Sequence, residues 1–352
     1  MSEFQLIKDF ASQNSREWRN ILNSNATTIT TCDKIVQAFS DVSPLLSSDA
    51  DLVVFGSLAR NECTSGSDVD WTLLVDGQVS NSHYQSSNII KKKFISLKLQ
   101  EPGTSGMFGN ITFSHDLVHY IGGEDDTNHN ISRRILLLLE SDKLLINSES
   151  DVFGTAYERV IKAIINEYII HDSGLSSVNH INDNVPRFLL NDIIRFWRTM
   201  CVDFAYKQKE QEGLKWGLRN IKLRMSRKLI YLKGLLMCFS CYNNKDLNKE
   251  NIPQHLTDLT LLKPLDLTLK ILGPRKVDSL LLTLIDKYDE FLGMLDDEKI
   301  REELKSLNMH EAYANGTFLH ARKIAHEFQD AISEIFMKDA EIMEFSKKYI
   351  IF

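Results

Sequence analysis

Proline, glycine and cysteine are all scarce in this chain of 352 residues, which contains 6 Pro, 16 Gly and 5 Cys. So few Pro and Gly residues exclude collagen-like and linker-dominated proteins, and a hydrophobic content of 43% excludes a disordered chain. The odd, sparse set of cysteines and a first segment without the pattern of a signal peptide indicate a reduced, cytoplasmic protein. We therefore expect a soluble globular chain of about two domains.

Long hydrophobic runs and an excess of positive charge are also missing. The longest apolar run, residues 234–244, is about half the length that a membrane span requires and lies between Lys233 and Lys245, so no membrane partner is predicted. The net charge of −7 argues against a protein that coats nucleic acid. The charge is nevertheless segregated, because residues 187–233 contain twelve Lys or Arg and only four Asp or Glu. This segment predicts a local anion-binding surface.

Hydrophobic patterning divides the chain into three parts. Residues 1–48 have helical spacing and predict two N-terminal helices that pack on the domain that follows. Residues 49–150 contain short β-type runs at 52–55, 71–75 and 111–121, with a helical stretch around 84–97, which predicts a small domain with a mixed sheet. Residues 151–352 show long amphipathic patterns and predict a helical domain. The expected fold class is therefore α+β.

The most informative segment lies between the first two predicted strands. Gly56-Ser57 follows the first strand, Arg60 comes three residues later, and Ser67-Asp68-Val69-Asp70 opens the second strand. Two carboxylates at positions i and i+2 of a strand project from the same face, so they can share a ligand. Hard oxygen donors in this arrangement suit Mg²⁺, which completes its shell with phosphate oxygens and water.

The Gly56-Ser57 pair is a candidate phosphate-binding turn. Glycine lets a phosphate approach the backbone, and the Ser57 hydroxyl and nearby N–H groups can donate hydrogen bonds to it. Taken alone, an Asp-x-Asp pair is common in solvated surface loops. Here, however, Asp68 and Asp70 open an apolar strand eleven residues after the Gly-Ser turn, which favours a functional role.

The order strand, Gly-Ser, about ten residues, Asp-Val-Asp and apolar strand resembles the DNA polymerase β nucleotidyltransferase superfamily. The resemblance implies transfer of a nucleoside monophosphate from an NTP, with two Mg²⁺ (or Mn²⁺) ions held by Asp68, Asp70 and a third carboxylate. Asp116 is the preferred third acid, and the cluster at residues 124–126 (Glu-Asp-Asp) is the alternative. Asp116 is followed by Gly122, a helix at 131–139 and Glu140-Ser141, an order that resembles the protein-PII uridylyltransferase branch. Residues 217–221 (Gly-Leu-Arg-Asn-Ile) resemble a segment of the same branch more loosely.

The basic segment of the second half supplies candidate phosphate ligands. Lys215, Arg219, Lys222 and Ser226 fall on one strip of a predicted helix that borders its apolar seam. Together with Gly56, Ser57, Arg60 and Ser67, they are predicted to bind an NTP between the two domains and to neutralise its β- and γ-phosphates. The alternative is an ordinary basic surface helix.

Several functions remain compatible with these patterns. The acceptor of the nucleotide can be a protein, an RNA or a small molecule, and a synthase of cyclic or linear oligonucleotide messengers would use the same site. A non-catalytic nucleotide-binding module is the alternative of another class. His115-Asp116 also occurs in metal-dependent phosphohydrolases, but that class needs further His and Asp ligands. The base, the regulator and the oligomeric state stay open.

Overall fold

The computed structural model describes residues 4–42, 46–99, 107–145, 154–175, 184–210 and 215–351. Its sheet has four strands in the order β3-β2-β1-β4. The strands are β1 (Ala50–Phe55), β2 (Asp70–Val75), β3 (Asn110–Phe113) and β4 (Ser141–Leu145). β1 is antiparallel to both of its neighbours, whereas β2 and β3 are parallel, so the sheet is mixed as expected.

Helices account for most of the remaining described chain. Those of the first half are α1 (Gln5–Gln13), α2 (Arg19–Ala38), α3 (Gly56–Ala59), α4 (Asn81–Ser96), α5 (Ser114–Val118) and α6 (Asn128–Leu139). Those of the second half are α7 (Ala156–Ile170), α8 (Arg187–Glu210), α9 (Trp216–Lys222), α10 (Lys228–Asn243), α11 (Ile252–Thr260), α12 (Pro264–Leu272), α13 (Asp278–Asp296), α14 (Glu298–Ser306), α15 (Met309–Ala312), α16 (Gly316–Lys338) and α17 (Ala340–Phe345). Within the described ranges, π-helical segments occur at Leu223–Arg227 and Ser346–Ile351. The α+β class, a small mixed sheet followed by a helical region, is confirmed.

The two faces of the sheet pack into different cores. Because strand side chains alternate, Leu52 and Val54 point to one face, where they join Phe39 of the N-terminal part and Phe94 of α4. Val53 points to the other face and belongs to the large core that continues into the helical half. One face of the sheet therefore shares its core with the helical half, and the division at residue 150 stays a prediction.

The N-terminal helices contact both halves of the molecule. At the start of α2, the Trp18 indole N–H donates to Asp286 Oδ1 of α13 at 2.7 Å, and the Ile21 N–H donates to Asp289 of the same helix at 2.9 Å. Farther along α2, Thr28 Oγ1 accepts a hydrogen bond from the Cys63 N–H at 2.9 Å. α2 thus contacts both α13 of the helical half and the loop between α3 and β2.

The β pattern predicted for residues 111–121 is wrong beyond Phe113. The chain turns into the short helix α5 at Ser114, with Leu117 and Val118 buried and His115 and His119 exposed. Asp116 lies in the first turn of α5, where an acidic side chain interacts favourably with the free N–H groups of a helix start. In the described part of the chain, no helix is both long and apolar enough to cross a membrane.

Candidate active site

The turn after β1 lies directly against the second carboxylate of the motif. Phe55 at the end of β1 is paired with Asp70 at the start of β2. Gly56 follows with φ of 68°, and a Cβ atom at this position would lie 3.1 Å from Asp70 Oδ2. Glycine therefore supplies both the left-handed backbone and the space that the carboxylate occupies. The Gly-Ser turn and the carboxylates meet at one end of the sheet, as the sequence predicts.

A cavity of about 100 Å³ opens at this end of the sheet, between the motif and the helical half. The residues that line it are Gly56, Ser57, Arg60, Glu62, Thr64, Gly66, Ser67, Asp68, Asp70, Lys222, Ser226, Arg227, Phe291, Leu292, Leu295 and Arg301. The structure thus brings together eight of the eleven residues predicted for the site. Of the other three, Asp116 lies at the far end of the sheet, and Lys215 and Arg219 do not line this cavity.

The two carboxylates of the motif repel each other in a poorly solvated place. Asp68 and Asp70 are half-buried. Burial, and then the charge of Asp68, raise the pKa of Asp70 to about 6. A divalent cation would relieve this repulsion, and the donors are the hard oxygens that Mg²⁺ and Mn²⁺ accept. The residues present therefore fit a divalent metal, with Asp68 and Asp70 as its ligands.

The predicted third acid is not brought to this pair. β3 runs parallel to β2, and Phe113 at its end is paired with Val75, so Asp116 follows the end of the sheet opposite Asp70. Five residues of strand separate these ends by roughly 16 Å. Within the described ranges, no group of three His, Cys, Asp or Glu side chains is arranged to hold a metal ion. The structure therefore gives no support for Asp116 as a ligand shared with Asp68 and Asp70.

The alternative acidic cluster has a structural role instead. Asp126 forms a salt bridge with Arg134 at 2.7 Å, and Arg134 also binds Asp192 of α8 at 2.9 Å. The Tyr168 hydroxyl completes this buried network by donating to Asp192. Glu124 and Asp125 are exposed. Arg134 thus joins α6 to α7 and α8 with Asp126 as one of its partners, and residues 124–126 do not line the cavity.

Only half of the predicted basic strip reaches the cavity. Lys222 and Ser226 line it, whereas Lys215 is exposed and precedes α9 in a left-handed conformation. Burial lowers the pKa of Lys222, an effect that the negative charge of Asp68 opposes. Lys222 has no salt bridge within the described ranges of the chain. A cation held this way can bind an anionic ligand next to the carboxylates.

The π-helical segment Leu223–Arg227 adds a cation that the strip did not include. An α-helix of 3.6 residues per turn places residue 227 well away from residues 222 and 226. A π turn carries one extra residue, which brings position 227 back to the same side. Arg227 lines the cavity with Lys222 and Ser226 as a result. The sequence offered no signal for this change of helix type.

A buried glutamate joins Arg227 to the motif. The Glu140 side chain is 0% exposed, accepts a hydrogen bond from Arg227 Nη1 at 2.6 Å and forms a salt bridge with Arg60 through its other oxygen. Arg60 also binds Glu62 at 2.7 Å, and the Tyr288 hydroxyl of α13 donates to Glu62 at 2.9 Å. Arg60, predicted to contact phosphate, lies at the cavity but has two carboxylate partners. Glu140 therefore fixes the helical half relative to the Gly-Ser turn.

Residues 32–103 match the family model described as nucleotidyltransferase domain. The matched segment runs from α2 past α4 and includes Gly56, Ser57, Asp68 and Asp70. It is a nucleotidyltransferase domain of the DNA polymerase β-like superfamily, as the motif indicates. A search of curated proteins found no match to the chain. The matched segment ends before Asp116, and the resemblance to the uridylyltransferase branch stays a prediction.

Proposed function

We propose that this chain transfers a nucleoside monophosphate from an NTP to an acceptor and releases pyrophosphate. The acceptor oxygen forms a bond to the α-phosphorus, the bond from the α-phosphorus to the bridging oxygen of the β-phosphate breaks, and pyrophosphate leaves with that electron pair. The acceptor proton passes to solvent. The proposal rests on one cavity. Its lining includes the carboxylates Asp68 and Asp70, the Gly56-Ser57 turn, and the cations Lys222 and Arg227.

The metal site of this proposal consists of Asp68 and Asp70. Mg²⁺ or Mn²⁺ ions bound there would neutralise the charge of the phosphates and of the leaving pyrophosphate. The superfamily resemblance predicts two ions, and the carboxylates of the motif with the triphosphate are the ligands that we propose for them. The raised pKa of Asp70 in the free protein supports this role, because a bound cation would offset the burial and the charge of Asp68 that raise it.

The phosphate side of the site has cations from the helical half. Lys222 and the Ser226 hydroxyl would contact the β- and γ-phosphates, with Ser57 and Ser67 on the other side. Three apolar side chains of α13, Phe291, Leu292 and Leu295, form the remaining wall, which suits the ribose, the base or the acceptor. Neutralising the leaving pyrophosphate in this enclosed site is the main contribution that we assign to these cations.

The test is binding and turnover with all four NTPs. NTP and Mg²⁺ together are expected to raise the melting temperature of the protein, since a ligand that binds the folded state stabilises it. Incubation with α-labelled NTPs then shows whether the label appears on a protein, an RNA or a small molecule. An oligonucleotide product formed without added acceptor identifies a messenger synthase, and binding without turnover identifies a non-catalytic module. No stabilisation by any NTP would refute the proposal.

A further inference from the structure

Arg301 of α14 reaches across the cavity to the loop that precedes the two carboxylates. Its side chain is 9% exposed, and Nη1 donates to the Leu295 carbonyl at 2.9 Å and to Ser65 Oγ at 3.3 Å. The same loop is held to α13 by the Ser65 N–H, which donates to Asp296 Oδ1 at 3.3 Å. A guanidinium from a helix more than two hundred residues later in the chain thus contacts Ser65, in the loop that precedes Asp68.

Gly66 provides the space for this guanidinium. A Cβ atom at residue 66 would lie 2.2 Å from Arg301 Cζ, far closer than any two unbonded carbons can approach. The backbone of Gly66 does not have the positive φ of Gly56, so an alanine there is not strained by its own conformation. What glycine contributes at residue 66 is therefore room for Arg301.

Within the described ranges of the chain, the charge of Arg301 lacks a buried partner. The one carboxylate within 4 Å of it there is Glu302, 3.8 Å from Nε, and that side chain is 55% exposed. Nε itself is buried and has no hydrogen-bond partner in the part of the chain that the structure describes. Arg60 and Arg227, by contrast, are matched by Glu140. A buried guanidinium without a matching carboxylate is costly unless an anion approaches it.

We propose that Arg301 binds the polyphosphate of the nucleotide and, with Lys222, forms a phosphate clamp supplied by the helical half. The planar guanidinium can donate two parallel hydrogen bonds to phosphate oxygens, including one from the unpartnered Nε. This inference rests on the proposed function and extends it, because it assigns a phosphate-binding role to a helix outside the matched domain. It also gives Gly66 a role, since a side chain there would displace the clamp.

The experiment measures binding of inorganic tripolyphosphate in Mg²⁺ by calorimetry, so that no choice of base is needed. Arg301→Ala and Gly66→Ala are each expected to weaken binding by about 10- to 100-fold, and the double variant is expected to be no weaker than Arg301→Ala alone. Arg322→Ala is the matched control. Arg322 of α16 is also an arginine with a buried, unpartnered Nε, but it packs on Tyr313 outside the cavity, so its loss should change binding less than twofold.

A structural role for Arg301 predicts a different result. If the guanidinium only holds the loop, affinity for AMP and for ATP should fall by the same factor, whereas a phosphate clamp costs ATP much more than AMP. Unchanged tripolyphosphate binding by Gly66→Ala and Arg301→Gln, with the wild type binding well, would overturn the inference and leave the proposed function intact. If Arg301→Ala does not fold, these two variants decide. A wild type that binds neither tripolyphosphate nor any NTP would overturn both proposals.

Discussion

The two halves of the molecule contribute to the candidate site in different ways. The carboxylates of the site and its Gly-Ser turn come from the sheet half, within fifteen consecutive residues from Gly56 to Asp70. The helical half supplies its cations from two separate places, the junction of α9 with the π segment and the start of α14. The acids therefore form a local motif, whereas the cations come together only because the helices pack.

This difference has an energetic side. The carboxylates crowd each other and raise the pKa of Asp70, and the nearby cations are themselves poorly solvated. Each half thus places poorly solvated charges at the cavity. Glu140 joins the two halves there through its salt bridges with Arg60 and Arg227. Variants in each half separate the two roles, chemistry in the sheet half and phosphate binding in the helical half.

Asp70→Asn is expected to reduce nucleotide transfer by at least about 10³-fold, because it removes a metal ligand and the electrostatic stabilisation that depends on it. The measurement is the rate of label transfer from an NTP at saturating Mg²⁺. Asp116→Asn is the control at the opposite end of the sheet and should change the rate less than about twofold. Equal losses in both variants would mean that Asp116 takes part in the reaction after all.

Glu140→Gln is expected to lower the free energy of unfolding by about 3 kcal/mol, since it leaves Arg60 and Arg227 buried with one neutral partner. Urea denaturation measures this. Glu302→Gln, on the exposed face of α14 and bound to Lys305, should cost less than about 0.5 kcal/mol. A Glu140 variant as stable as the wild type would show that the two halves are held together by packing alone.

Asp266 tests whether a buried carboxylate is by itself a sign of function. Burial raises its pKa to about 6, as for Asp70, although Lys263 opposes the rise. Asp266 lies in α12, and among the described residues its Oδ1 has no hydrogen-bond partner and no second acid acts on it. Between the ordinary pKa of 3.8 and about 6, the folded chain binds more protons than the unfolded chain, so this residue makes stability fall as pH rises.

The free energy of unfolding of Asp266→Asn, relative to that of the wild type, should therefore rise by roughly 2 kcal/mol from pH 4.5 to pH 7.5. Its transfer activity should be unchanged. Urea denaturation at the two pH values measures the change. Asp258 lies on the exposed side of α11. For Asp258→Asn, the free energy of unfolding relative to the wild type should change by less than about 0.5 kcal/mol between the two pH values. A loss of transfer activity in Asp266→Asn would assign the helical half a chemical role that we do not expect.

Lys222→Ala is expected to weaken NTP binding about tenfold, the value of one charge-assisted hydrogen bond. Lys215→Ala should have an effect below about twofold, because Lys215 is exposed and does not line the cavity. Calorimetric titration with the preferred NTP measures both. Equal effects would restore the original strip of four residues as the phosphate site.

Local patterns predicted the parts of the structure that depend on neighbouring residues. The strands of the motif and α4 lie where hydrophobic spacing places them, and α6 lies where the resemblance places a helix. Gly56 and Asp70 meet because β1 and β2 form adjacent antiparallel strands. The family resemblance was visible for the same reason. Asp116 was misplaced because β-branched and aromatic residues continue past Phe113, although the chain there turns into α5.

Residues that depend on packing could not be found in this way. Arg227 faces the cavity because of a π turn, and Arg301 does so because α14 packs on α9. Glu140 had a weak signal as part of the Leu-Glu-Ser segment, but its two arginine partners are 80 and 87 residues away. Long-range charge pairing of this kind leaves no periodic trace in a single sequence.

The small volume of the cavity sets a condition on how fast a nucleotide can arrive. Pockets that enclose ligands of this size measure roughly 300–1,000 Å³, whereas this one measures about 100 Å³. The side chains that line the cavity must therefore rearrange before a triphosphate can enter. Association would then be slower than free encounter and insensitive to nucleotide concentration once that rearrangement limits the rate.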